Sequence, residues 1–159
     1  MRTQVDCQAI QRNNSFFVGR IIDENEQNRN FLQNTIENHA RQTIRKTSLL
    51  YRMDSLNKNN IHRYVDNHPN LMLLLKLENG WICGGYSESS FYPKMISDKD
   101  GIIFSVSAQE CFQLKTQNKR AITYDDFFII FGNSELRVKT QEGKLFSNFG
   151  INAAYYDPR

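Results

Sequence analysis

The sequence predicts an α+β protein that is mostly β, because helical patterns come first and strand patterns follow, segregated and not alternating. Three observations carry that reading. A helix-period pattern runs on from Asp23, an Asn79-Gly80 hairpin signal lies between two apolar runs, and from residue 101 short apolar runs recur at the spacing of an antiparallel sandwich. The 159 residues suit one domain of ordinary size, and 40% hydrophobic with 12% aromatic content supplies a core.

Residues 1–20 hold one short apolar patch, Phe16-Phe17-Val18, without a sustained period, and read as an arm. Beyond Asp23, Leu32, Ile36, Ala40 and Ile44 fall near steps of four, while Glu26, Arg29, Gln33, Glu37 and Arg41 take other positions, which predicts an amphipathic helix. Asp23 is the expected N-cap. Glu24 and Glu26 at the start, with Arg41, Arg45 and Lys46 at the end, suit the helix dipole. The chain thus divides into an arm plus amphipathic helix, residues 1–46, and a strand-rich body, residues 47–159.

Residues 48–52 (SLLYR) fit either the end of that helix or the start of a strand. A shorter helix starts near Ser55, since Leu56, Ile61, Tyr64 and Val65 share a face, and Asn67 with Pro69 stops it. Strands follow at 71–77 (LMLLLKL) and 81–86 (WICGGY), joined by Asn79-Gly80. The polar stretch 87–100 is a loop, and five more strands are expected at 101–107, 111–115, 121–124, 127–131 and 136–139.

Twenty Lys and Arg against seventeen Asp and Glu leave a net charge of +3, too weak and dispersed to neutralise a phosphate backbone, so nucleic acid is not an expected partner. No run approaches the roughly 18 apolar residues that span a bilayer, and the first ten residues lack the build of a secretion signal. The expected location is intracellular: cytoplasmic, or associated with an organelle or cytoskeletal assembly. Cys7, Cys83 and Cys111 are an odd number without close spacing, which fits reduced thiols and neither a disulfide framework nor a zinc site.

Gly84-Gly85-Tyr86-Ser87 has neither the phosphate-loop spacing with its Lys nor Gly-x-Ser-x-Gly, and two glycines in a strand mark a bulge or the close approach of a backbone or large ring. His62 and Asp66 stand four apart and can share a helix face, yet no motif places a nucleophile beside them. His39 and His68 read as structural. Cys83 alternates with Trp81, which puts both on one strand face with Cys83 as a small buried group; Cys111 reads the same way. Asp125-Asp126 between two apolar runs is a turn. The residues therefore predict no catalytic, cofactor-binding or metal site.

In order along the chain, Leu49-Leu50-Tyr51-Arg52, Ile61-His62, Asp66-Asn67, the run 71–77, Trp81, Gly84-Gly85-Tyr86, Ile102-Ile103-Phe104-Ser105, Phe131-Gly132, Ser147-Asn148 and Tyr156-Asp157 make residues 49–159 resemble the TLDc domain family. The resemblance implies a two-sheet antiparallel β-sandwich flanked by helices, and function through binding, not catalysis. Motif order, the lack of a catalytic constellation and the long N-terminal helix make an accessory or structural subunit of a larger assembly the leading expectation; the resemblance implies as alternatives a regulator docking on the V-type proton ATPase and an oxidation-resistance factor. An enzyme using Cys83 or His62 is the third reading. Asn133-Ser134-Glu135 stands where many members carry Gly-Gly-His-Asp, the loop 87–100 lacks the Trp common there, and Arg159 comes before the family's usual last strand. Expected docking elements are accordingly the N-terminal helix and an incomplete sheet edge that a partner's strand can complete.

Overall fold

A computed structural model describes residues 21–22, 25–51, 62–77, 79–90, 101–113, 122–125, 128–131, 136–141 and 144–149. The chain divides into two compact units, Met1–Leu49 and Leu50–Arg159.

In the first unit, helix α1 spans Glu26–Ala40. Its cap is Asn25 and not Asp23: the Asn25 backbone is extended, and its side-chain oxygen accepts the Asn28 N–H at 3.1 Å. Leu32 and Ile36, four apart, are the buried positions of the helix. The C-terminus also differs from expectation. Arg41 takes a left-handed conformation (φ 52°), so Arg45 and Lys46 lie beyond the helix. The Glu37 carboxylate explains where the chain goes next, since it accepts the Ile44 N–H at 2.7 Å and the Gln33 side-chain amide at 3.1 Å, drawing the following segment back along the helix.

In the second unit, Leu50 and Tyr51 have no regular secondary structure; they pack against the buried core, which settles the ambiguity of SLLYR. Helix α2 is a single turn, His62–Val65, and the predicted start near Ser55 lies outside the described residues. Tyr51 and Tyr64 meet with ring centroids 5.4 Å apart, and Val65 enters the core. Asn67 and Asn70 adopt positive φ (65° and 58°) on either side of Pro69, turns that asparagine tolerates better than most residues.

Eight strands follow: β1 Leu71–Lys76, β2 Ile82–Ser87, β3 Ile102–Ser105, β4 Glu110–Gln113, β5 Ile122–Asp125, β6 Phe128–Phe131, β7 Leu136–Gln141 and β8 Lys144–Phe149. They pair with sequence neighbours in antiparallel order, β1-β2-β3-β4 in one sheet and β5-β6-β7-β8 in another. The fold is thus mostly β with a helix. Seven of these strands match runs read from the sequence, with β1, β3 and β6 shorter, β2, β4 and β5 starting one residue away, and β7 two residues longer; β8 was not foreseen. The β1–β2 turn follows from Gly80, whose φ of 86° suits glycine. Its N–H donates to the Leu77 carbonyl at 2.9 Å, and the Leu77 N–H donates to the Trp81 carbonyl at 2.8 Å.

Register puts Leu71, Leu73 and Leu75 on the same face of the first sheet as Cys83, Gly85 and Ile103, with Phe112 beside Ile103 on β4. Most of that face forms one buried cluster with Val65, and Phe131 of β6 and Leu136 of β7 belong to the same cluster. The opposite face is buried too at Ile82, Tyr86, Ile102 and Phe104. Burial on both faces is why β2 and β3 read as continuous apolar runs without polar alternation. Each fully buried Phe or Ile side chain contributes roughly 1.5–3 kcal/mol relative to exposure.

Candidate functional site

The glycine pair on β2 is where sequence motifs come closest to chemistry. Its environment is packing. A Cβ on Gly85 would stand 2.6 to 2.9 Å from three ring atoms of Phe131. A Cβ on Gly84 would collide with the Leu73 carbonyl oxygen and lie 2.8 Å from the Phe104 ring. The register runs unbroken through both residues, so the pair makes no bulge; it admits two rings and a neighbouring backbone. All six residues of β2 are buried. Tyr86 donates its hydroxyl to the Asn70 side-chain oxygen at 3.1 Å, and Ser87 donates to the Ser89 carbonyl at 3.1 Å.

Cys83 is buried in the core, and Cys111 is half-buried on β4. Burial pushes both thiols up to about 11, which keeps them protonated and poorly nucleophilic at neutral pH. They cannot form a disulfide with each other. Cys83 pairs with Ser105 and Cys111 with Phe104, so β3 separates them and they occupy opposite faces; two strand spacings, roughly 10 Å, exceed disulfide reach.

The histidines stand on the helices and the turn after them. His39 is half-buried in the last turn of α1, His68 is exposed, and His62 opens α2. That helix ends at Val65, and Asp66 directly after it is half-buried. Asp125 ends β5 and pairs with Phe128, closing a hairpin across positions 126 and 127; Asp126 itself lies outside the described residues. Also outside are Cys7, Phe16 to Val18, Asn133 to Glu135 and Tyr156-Asp157. Among the described residues, no three His, Cys, Asp or Glu side chains stand close enough to hold a metal ion, and no helix is long and apolar enough to cross a membrane.

One residue departs from its expected place. Trp81 lies just before β2, which begins at Ile82, and its indole is 49% exposed while Cys83 is 2% exposed. The signal available in the sequence was its position directly after Asn79-Gly80.

Gly84 thus faces the Phe104 ring on one side of the sheet, Leu50 and Tyr51 pack on the buried cluster, and a family model for the TLDc domain matches residues 19–154. The chain belongs to the TLDc domain family. The match takes in α1 as well as the strand-rich body, and so extends further toward the N-terminus than the sequence motifs alone. No curated protein and no solved structure matches the chain. In this TLDc domain, Gly84 and Gly85 leave room for the Phe104 and Phe131 rings, and Tyr51 packs beside Tyr64.

Proposed function

We propose that this TLDc domain is a non-catalytic protein–protein interaction module, acting inside the cell as an accessory or structural subunit of a larger assembly. The observation that carries the reading is the state of β2 and the thiols. The glycines that resemble a ligand loop are filled by Phe104 and Phe131, and burial holds Cys83 and Cys111 protonated. The two sheets form the layers of one sandwich in this reading, with Phe131 placed against Gly85 as the contact between them.

Affinity purification of the tagged full chain from its own cells, with mass spectrometry of what accompanies it, tests the proposal. Defined partners at fixed stoichiometry are expected, and recovery of the chain alone contradicts it. A fraction dominated by V-type proton pump subunits would redirect the reading to pump regulation. Deleting residues 1–46 then locates the contact: a folded remainder that loses its partners assigns docking to the N-terminal part, whereas aggregation assigns that part to covering the domain.

A further inference from the structure

We propose that Asn79 is a spontaneous modification site, at which deamidation proceeds only when the β1–β2 turn opens. Asn79-Gly80 is the one Asn-Gly pair of the chain. Both residues are exposed, and among the described residues nothing lies within 4 Å of a Cβ built on Gly80, so water reaches the pair. The reaction is internal to the chain. The Gly80 nitrogen gives up its proton to hydroxide and attacks the Asn79 Cγ, forming an N–Cγ bond. The Cγ–Nδ2 bond breaks, and the amide nitrogen takes a proton from water and leaves as ammonia. Water then opens the cyclic imide, giving aspartate where the bond from nitrogen to Cγ is cut and isoaspartate where the bond to the main-chain carbonyl carbon is cut. The net change is the uptake of water and the release of ammonia.

Glycine after asparagine leaves this attack sterically open, but the fold holds both reacting groups elsewhere. The Gly80 N–H donates to the Leu77 carbonyl at 2.9 Å, which directs the nitrogen back toward β1. The Asn79 side-chain oxygen accepts the Trp81 N–H at 3.0 Å, which turns the amide forward toward β2. Cyclisation needs the nitrogen and Cγ in near-attack geometry, so both hydrogen bonds must break first. The base of the turn resists this. The Leu77 N–H donates to the Trp81 carbonyl at 2.8 Å, and the Ile82 N–H donates to the Ser107 hydroxyl at 2.8 Å. The open turn is therefore a minor form, and the reaction rate follows its population. The two products differ in what they do to the turn. Aspartate keeps an oxygen that accepts the Trp81 N–H, whereas isoaspartate runs the main chain through Cβ and Cγ and lengthens a turn that these hydrogen bonds close tightly.

The test needs no partner. The folded full chain, the same chain unfolded in guanidinium and a peptide of residues 74–84 are incubated in one mildly alkaline buffer, and mass spectrometry of the digested segment follows the conversion of the Asn79 amide to a carboxyl group. The unfolded chain and the peptide should react at a common rate, with the folded chain slower by roughly tenfold or more. Equal rates in folded and unfolded chain overturn the gating by the turn; an unreactive Asn79 in the peptide overturns the site itself. Hydrogen exchange at the Gly80 amide gives a second readout. Its protection should match the slowing of deamidation, and free exchange at Gly80 in a folded chain that deamidates slowly overturns the role assigned to the Leu77 hydrogen bond. The isoaspartate form, separated by chromatography, should unfold at a lower Tm than Asn79→Asp, and equal Tm values overturn the tight closure of the turn around Asn79.

Discussion

Gly85→Ala probes the contact between β2 and the Phe131 ring directly. A methyl group there would meet three atoms of the Phe131 ring at 2.6, 2.7 and 2.9 Å, where ordinary contact begins near 3.4 Å, so the ring must retreat by roughly 0.8 Å. Phe131 is fully buried and has little room to do so. Overpacking of this kind costs about 1–3 kcal/mol. Replacing glycine also narrows the unfolded ensemble, which returns about 0.4–1 kcal/mol, and Gly85 is not among the positive-φ residues, so alanine adds no backbone strain. The net loss is near 1.5 kcal/mol, which lowers Tm by about 3–6 °C for a chain of this size. Thermal unfolding of the two proteins measures it. Adding Phe131→Leu to Gly85→Ala should recover part of the loss, giving a coupling of about 0.5–3 kcal/mol. A Tm equal to or above that of the unsubstituted chain, or additive effects in the double variant, would refute the contact between Gly85 and Phe131.

Gly84→Ala should destabilise more than Gly85→Ala, because the added carbon meets the Leu73 backbone carbonyl as well as the Phe104 ring and a backbone cannot change rotamer; comparison of the two Tm values decides it. The cysteines set a pH dependence. Their folded values near 11 lie above the unfolded value near 9, so the folded state holds protons that the unfolded chain releases; their contribution to stability is complete below pH 9 and is lost between about pH 9 and 11. Denaturant midpoints across that range should fall with rising pH, and Cys83→Ala with Cys111→Ala should flatten the decline. Peptide-resolved alkylation at pH 8 should leave Cys83 and Cys111 unmodified until denaturant is added. Glu37→Ala removes the acceptor of the Ile44 N–H and should cost about 1 kcal/mol locally, read as faster hydrogen exchange at the Ile44 amide with global Tm little changed.

Legibility from sequence followed the range of the physics involved. The β1–β2 hairpin was readable because Asn79-Gly80 states its turn locally, and the glycine pair because strand glycines imply close approach; which rings approach, Phe104 and Phe131, depends on register and on another sheet. The end of α1 was misplaced because Arg45 and Lys46 suit a helix dipole, while the left-handed turn at Arg41 and the Glu37 to Ile44 hydrogen bond are specific geometry. β8 was missed because Lys144, Ser147 and Asn148 interrupt its apolar pattern, and a strand of that composition is recognised through its pairing with β7. Trp81 shows the same limit at the candidate site. Period-2 alternation put it on one strand with Cys83; the strand begins one residue later, at Ile82, and the indole is half exposed.

The most direct test of the central claim, that this TLDc domain acts by association, is the molar mass of the endogenous protein after gentle lysis, measured by sizing with light scattering. The account predicts elution in a larger assembly at fixed stoichiometry, unchanged when Cys83 and Cys111 are both replaced by alanine. An 18.6 kDa monomer whose cellular role is abolished by those same replacements would contradict it.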